Sequence, residues 1–236
     1  QIVLATKGAH PELATMHIPR MSRAEIEADL DTSLRNLHTD VIDLYWLHRD
    51  DTARPVAEIL ETMNAQVKAG KIRYFGCSNW RAPRIAEAQR VAAAQGMAGF
   101  VADQMMWSLA VIDPAGIRDQ TTVAMDDELF AYHQASGMAA VAYSSQAGGL
   151  FQKLAQGNDA VGSAYPIDAN RDRLARIQQV AAETDLSITQ IVLGYLHAQP
   201  FVTVPIVGCR TEEQLRDTLT AGDVMLTPAQ VAVLAS

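Results

Sequence analysis

The sequence has 236 residues, of which 49% are hydrophobic and 19% charged, a composition typical of a folded chain with a large core and not of a disordered one. The net charge of −8 argues against nucleic acid as a partner, because phosphate binding needs a basic surface. No apolar run reaches the length of a membrane span, so no membrane partner is expected. The two cysteines, Cys77 and Cys209, are expected to be reduced thiols of a cytoplasmic protein.

Hydrophobic patterning predicts strands alternating with helices, beginning with a strand. The expected strands cover residues 2–6, 41–47, 73–77, 100–104, 139–143 and 202–207. The expected helices cover residues 22–37, 55–70, 83–95, 126–136, 171–184 and 187–198, and two more begin at Thr211 and Thr227. Capping boxes are expected where Ser22 and Ser187 each stand three residues before a Glu or Gln.

The strands are apolar on both faces, which is typical of a parallel sheet covered by helices. Six strand–helix units, with no linker and no low-complexity tract, predict a single α/β domain over residues 1–236. A doubly wound open sheet and a (β/α) barrel both produce this order of elements, and periodicity does not separate them.

Polar residues follow the predicted strands at the point where each strand ends. They are Lys7, His48, Ser78, Asn79, Gln104, Tyr143, Ser144, Ser145, Gly208 and Arg210. Because consecutive parallel strands usually lie side by side, these residues should meet at one edge of the sheet, where barrel enzymes carry their active sites. A lysine beside a histidine suits carbonyl chemistry, and an arginine before a helix start favours an anion.

Taken singly, each of these residues also has a structural explanation. Lys7 could simply reach solvent, His48 could be a core histidine, and Ser78 could be part of a helix N-cap. Their joint order at six strand ends favours the functional interpretation. The remaining histidines show no spacing typical of a metal site.

Six segments of the chain together resemble the aldo-keto reductase family. They are IVLATKG, SLRNLHTDVIDLYWLHRDD, GKIRYFGCSNW, ADQ, AYSSQAGGL and PIVGCRTEEQL, and they stand in the family's order and spacing over almost the whole chain. The resemblance implies a (β/α)8 TIM barrel, of which about six strand–helix units are present. It also implies an oxidoreductase that transfers a hydride between NADPH and the carbonyl of an aldehyde or ketone. The family binds NADPH without a Rossmann fold, and the sequence contains no GxGxxG motif.

The same resemblance implies roles for individual residues. Lys7 and His48 resemble two of the family's four catalytic residues: the histidine orients the substrate carbonyl, and the lysine lowers the pKa of a tyrosine that donates the proton. The implied cofactor-binding residues are Ser78, Asn79 and Gln104 at the nicotinamide carboxamide, Tyr143 stacked on the nicotinamide, Ser144 and Gln146 at the pyrophosphate, and Gly208, Arg210 and Gln214 around the adenosine 2′-phosphate.

The chain departs from the family pattern in three places. The other two catalytic residues, an aspartate and the tyrosine, belong to a strand before IVLATKG that this sequence does not contain. Two further strand–helix units are therefore expected before Gln1, since Gln1 already lies inside an apolar strand run. The Glu-Asn pair that holds the adenine in the family is replaced by Asp217 and Thr218, and the proline after the aromatic–serine pair by Ser145.

Two other functions remain open on the sequence alone. A desolvated lysine on a barrel strand also catalyses carbonyl condensation, so a Schiff-base lyase using Lys7 is one alternative. The other is a catalytically impaired subunit that binds NADPH and interacts with another protein. The carbonyl substrate and the oligomeric state are not readable, because the loops 10–20, 113–124 and 157–170 show no preference for a substrate.

Overall fold

The structure is a computed structural model that describes residues 2–236, so Gln1 lies outside the described residues. Within that range, six strands alternate with nine α-helices. The strands are β1 (Ala5–Gly8), β2 (Ile42–Leu47), β3 (Ile72–Ser78), β4 (Ala102–Met106), β5 (Ala139–Tyr143) and β6 (Thr203–Pro205). The helices are α1 (Arg23–Leu37), α2 (Val56–Lys68), α3 (Ala82–Gln95), α4 (Asp127–Ser136), α5 (Leu150–Ala155), α6 (Ile167–Thr184), α7 (Ile188–His197), α8 (Glu212–Thr220) and α9 (Pro228–Ala235).

The chain divides into two compact units of similar size. The first comprises the residues up to Gln104 together with Thr121–Tyr132, and the second comprises Met105–Gln120 and His133–Ser236. In the first unit, β1, β2, β3 and β4 pair in chain order, and every pairing is parallel. In the second unit, β5 pairs with β6, again in parallel. The expectation of one domain over residues 1–236 stays a prediction.

Each unit has its own apolar interior. In the first, Phe100 packs edge-on against Phe75 and Trp80, with ring centroids 5.7 and 4.9 Å apart. In the second, the core is built largely from helices α5, α6 and α7, with Phe151 and Ile177 almost fully buried. Burial of such side chains is the main favourable term in folding.

Helix starts follow the signals in the sequence. Ser22, Ser187 and Thr227 each cap a helix with a complete capping box, since each side chain accepts from the main chain three residues on and the Glu or Gln there reaches back. Thr211 accepts from Gln214 N, but the Gln214 side chain instead accepts from Arg210 N at 2.9 Å. No helix within residues 2–236 is long and apolar enough to cross a bilayer.

Several element boundaries differ from the sequence-based expectation; the strand expected over residues 100–104 is Ala102–Met106, and the one expected over residues 202–207 is Thr203–Pro205. The first strand begins at Ala5 and not at residue 2, because pairing with β2 starts at Ala5 and the side chains of Ile2 and Val3 are left exposed. Helix α6 begins at Ile167, four residues before the expected start. Pro166 takes an extended conformation there and Asp168 supplies an acidic first turn.

Candidate active site

The strand register places several candidate residues of the first unit on one face of the sheet. Side chains alternate between the two faces of a strand, so residues in register on neighbouring parallel strands point the same way. The registers are Lys7 with Trp46, Trp46 with Gly76, and Ser78 with Gln104. Lys7, Ser78 and Gln104 therefore share a face, and His48 follows at the carboxyl end of β2.

Gly76 makes room for this arrangement. A Cβ at this position would lie 2.5 Å from the Trp46 ring and 2.7 Å from the Ala102 carbonyl oxygen. The indole of Trp46 thus lies directly over the β3 backbone, beside the strand positions that carry Lys7 and Ser78. The glycine of the GKIRYFGCSNW segment is required here by close packing.

Lys7 is half-buried, and its ammonium group donates to the side-chain oxygen of Gln104. Burial, and to a smaller extent the positive charge of Arg49, lowers the pKa of Lys7 from 10.5 to about 8. At neutral pH the amine is still mainly protonated, but it releases a proton far more readily than an exposed lysine does. Such a shift in a polar cluster is typical of a functional site.

Asn79 links three segments around this lysine. Its backbone N–H donates to the Gln104 carbonyl oxygen at 3.0 Å, and its side-chain N–H donates to the His48 carbonyl oxygen at 3.2 Å and to the Ser78 hydroxyl at 3.1 Å. The Asn79 side-chain oxygen accepts from Val123 N at 3.0 Å. Asn79 has a left-handed backbone with φ of 61°, which asparagine tolerates better than most residues. The carboxamide is therefore held in one orientation.

His48 is tied to β1 as well. Its N–H donates to the Gly8 carbonyl oxygen at 2.9 Å, which extends the β1–β2 ladder by one residue. Its imidazole lies 4.5 Å from the ring of His10, measured between centroids, at an interplanar angle of 57°. His48 thus stands directly beside the residue that follows Lys7.

In the second unit, a cavity of about 1020 Å³ opens beside the ends of β5 and β6. Candidate residues that line it are Ser144, Gln146, Gly208, Arg210 and Gln214. Tyr143, the sixth candidate of this unit, precedes Ser144 at the end of β5 but does not line the cavity. The structure thus brings together five of the six cofactor residues expected here.

The chemistry of this cavity fits a phosphorylated ligand. Gly148 and Gly149 have φ of 65° and 77°, and no neighbouring atom lies where their Cβ atoms would be, so their backbone is open to a ligand. Arg210 supplies an exposed guanidinium, and the Gln214 side chain holds its main chain. Lys153 of α5 adds a second cation to the lining.

Sequence reasoning missed two residues of these sites. Arg49 follows His48 directly and is 8% exposed, but an arginine in the polar HRDD segment gives no local sign that it is buried. Lys153 lies three residues into α5, a six-residue helix that the pattern did not predict. Two carboxylates also line the cavity, Glu213 and Asp217, and Asp217 accepts from the Ser187 hydroxyl at 2.9 Å.

The sequence model of the aldo/keto reductase family matches the chain over residues 1–236. The chain belongs to the aldo/keto reductase family. Membership of this family and the similarity to a protein named as an oxidoreductase support the expectation of an oxidoreductase. The α/β fold with six parallel strands is also confirmed as that of an aldo-keto reductase (β/α)8 barrel.

Individual relatives agree with this assignment. The chain is 32% identical over 234 residues to the uncharacterized oxidoreductase YrpG of Bacillus subtilis, covering 96% of this chain and 68% of that protein. It is 28% identical to a probable voltage-gated potassium channel subunit beta of Oryza sativa, covering 89% of this chain and 66% of the relative. The crystal structure of the thermostable aldo-keto reductase Tm1743 with the inhibitor epalrestat matches with a TM-score of 0.65 and 25% identity, over 92% of this chain and 67% of that one. The chain thus spans about two thirds of these relatives.

Proposed function

We propose that this family member is an NADPH-dependent reductase of aldehydes or ketones. The observation that carries the proposal is the hydrogen-bonded group in the first unit, in which Lys7 donates to Gln104 and Asn79 joins Gln104 to His48. This group combines a lysine with a lowered pKa, a histidine and two carboxamides at the ends of neighbouring strands. Family membership supports the same chemistry.

The residues of the first unit have distinct parts in this reaction. When bound, NADPH supplies a hydride to the carbonyl carbon, and a proton added to the oxygen completes the alcohol. His48 orients the carbonyl oxygen by hydrogen bonding. The Lys7 ammonium stabilises the negative charge that develops on that oxygen. In the family pattern it also lowers the pKa of the tyrosine that donates the proton, a residue of the strand that this sequence does not contain. Ser78, Asn79 and Gln104 hold the carboxamide of the cofactor.

Arg210 gives the proposal its cofactor preference. Its exposed guanidinium lines the cavity of the second unit and can pair with a 2′-phosphate, which NADPH has and NADH lacks. A charged hydrogen bond contributes about 1.5–3 kcal/mol. Arg210→Ala should therefore weaken NADPH binding by about ten- to a hundredfold and leave NADH binding nearly unchanged, as measured by fluorescence titration.

Arg216→Ala is the matched control for this titration. Arg216 lies on α8, the helix that begins two residues after Arg210; it pairs with Glu212 and does not line the cavity, so its loss should change neither affinity. Equal losses for both cofactors in Arg210→Ala would contradict the assignment of the 2′-phosphate to Arg210.

The carbonyl part of the proposal is tested at His48. In the full protein, His48→Gln should leave folding and NADPH affinity intact and lower turnover of a reactive aldehyde by roughly two to four orders of magnitude. His17→Gln, a change at an exposed histidine, should have no effect. If the His48 variant unfolds instead, His48 is a structural residue and the proposed role is wrong.

One observation favours a second candidate reaction. A lysine with a pKa of about 8 is also suited to forming a Schiff base with a carbonyl substrate. Borohydride would then trap the substrate covalently on Lys7, and mass spectrometry of the peptide would locate the adduct. A trapped adduct together with no NADPH oxidation would favour a lyase over a reductase.

A third candidate follows from the relative named as a potassium channel subunit beta. A chain of this kind could bind NADPH and act as an interaction subunit. Tight NADPH binding without turnover of any reactive aldehyde in the full protein would favour this candidate, whereas measurable turnover would count against it.

A further inference from the structure

Arg49 is a buried cation that has no role in the reaction proposed above. It follows His48 in the chain and is 8% exposed. Its Nε donates to the Thr121 hydroxyl at 2.7 Å, and its Nη1 donates to the His48 carbonyl oxygen at 2.8 Å. The Arg49 carbonyl oxygen accepts from the Trp80 indole at 3.1 Å. A charge this well buried requires such partners, since desolvation is otherwise costly.

Arg49 and Asn79 make hydrogen bonds to the same two parts of the chain. Both side chains donate to the His48 carbonyl oxygen, Arg49 at 2.8 Å and Asn79 at 3.2 Å. Both also hold the same short segment, Arg49 through the Thr121 hydroxyl and Asn79 through Val123 N. The main chain of His48 is thus hydrogen-bonded from two sides, and these bonds hold the backbone that carries the imidazole.

Arg49 is also close to Lys7 along the sheet. Lys7 is in register with Trp46, and the His48 N–H donates to Gly8, the residue after Lys7. The Arg49 charge disfavours protonation of Lys7 and adds to the effect of burial on its pKa. Titratable side chains on the adjoining segments include His48, His10, whose ring is tilted against that of His48, and Asp50, which follows Arg49 and pairs with Arg84.

We propose that Arg49 is a positioning residue that fixes the His48 main chain against the Thr121 segment and places a permanent positive charge beside Lys7. Its consequence for catalysis rests on the proposed reductase function, but its effect on Lys7 does not. Arginine suits both tasks, because its planar group donates in two directions and stays charged at every working pH.

The charge is tested by the protonation of Lys7. The four lysines of the chain are labelled by reductive methylation with 13C and titrated by NMR above about pH 7.5, where histidine side chains in general carry no charge. Arg49→Met should raise the pKa of Lys7 by about half a unit or more, because a nearby positive charge is removed. Arg49→Lys keeps the charge and should leave that pKa near the native value. Arg81→Met, at an exposed arginine, is the control and should change nothing.

The positioning is tested by two milder variants. Arg49→Lys loses the forked group and Thr121→Val loses its acceptor, so both should lower kcat while leaving KM for the carbonyl and the affinity for NADPH nearly unchanged. Arg49→Lys with native kcat would overturn the positioning role. Because Arg49→Lys keeps the positive charge, this test can still be made if Arg49→Met does not fold. A Lys7 pKa that is the same in Arg49→Met and Arg81→Met would overturn the electrostatic role, whether or not the protein reduces carbonyls.

Discussion

Lys7 shows how one side chain couples the site to stability. Its pKa is about 8 in the folded protein against 10.5 for an ordinary lysine. Between these values the unfolded chain binds more protons than the folded one, so the free energy of unfolding should rise as the pH rises from about 8 to 10.5. We expect a rise of about 1–2 kcal/mol, less than the full shift would give because Lys7 is partly exposed.

Lys7→Met should abolish this rise, since methionine carries no proton to lose. Urea unfolding at pH 8, 9 and 10.5 measures it, with Lys68→Met as the control at an exposed lysine of α2. A rise of the same size in Lys7→Met would mean that other groups, and not Lys7, cause the pH dependence.

At the residue scale, the sequence was informative where a residue type is unusual at its place. A lysine and a histidine at the ends of apolar strands stand out, and the structure links both to Asn79 and Gln104. Arg49 did not stand out, because an arginine in a polar loop is ordinary until its burial is known. Burial depends on the whole fold, which a local pattern does not contain.

At the element scale, Gly8 is set by the packing of β1 against its neighbours. A Cβ there would lie 1.8 Å from the Tyr45 hydroxyl oxygen and 3.0 Å from Cβ of Asp29. The same turn is held by Asp29, which accepts from Ala9 N at 2.8 Å and from Arg20 at 3.0 Å. The end of β1 is thus fixed immediately after Lys7.

Gly8→Ala should therefore destabilise the protein by about 1–3 kcal/mol, the usual cost of overpacking a buried site. Adding Tyr45→Phe should restore part of the loss, because it removes the hydroxyl that the new methyl group meets first. The free energies of unfolding of the single and double variants measure this coupling. Simple additivity of the two changes would contradict a direct contact.

Most elements were predictable from capping and periodicity, and the exceptions have physical causes. Helix α5 has six residues, too few to show a helical period, and begins after Gly149 in a left-handed conformation. Its Leu150, Phe151 and Leu154 are buried in the core of the second unit. The opposite error occurs at the start of the chain, where a strand is predicted and not found. Ile2 and Val3 have the apolar pattern of a strand but have no strand partner among the described residues.

At the scale of the whole molecule, the net charge of −8 opposes binding of a polyanionic cofactor, so recognition depends on local cations. In the cavity of the second unit these are Arg210 and Lys153, and they are balanced by Glu213 and Asp217. Screening by salt weakens both the general repulsion and the local attraction. The affinity for NADPH should therefore depend on salt less steeply than the charge of the ligand alone suggests.

Binding of NADPH should also stabilise the whole chain, because a ligand that binds only the folded state shifts the unfolding equilibrium. At a concentration of 100 times Kd the gain is about 2.7 kcal/mol, or about 5–10 °C in Tm for a chain of this length. At the same NADPH concentration, Arg210→Ala should lose about half of this gain or more, since its affinity is about ten- to a hundredfold lower. Scanning calorimetry with NADPH and with NADH measures the difference.

Hydrogen exchange then locates the stabilisation within the molecule. Protection by NADPH should be largest in the peptides that contain Ser144–Leu150 and Gly208–Gln214, because these carry the backbone N–H groups and side chains that line the cavity. Peptides of α9 lie outside the cavity lining and serve as the internal reference. A rise in Tm with protection spread evenly over both sets of peptides would contradict binding at this cavity, even if the protein binds NADPH tightly.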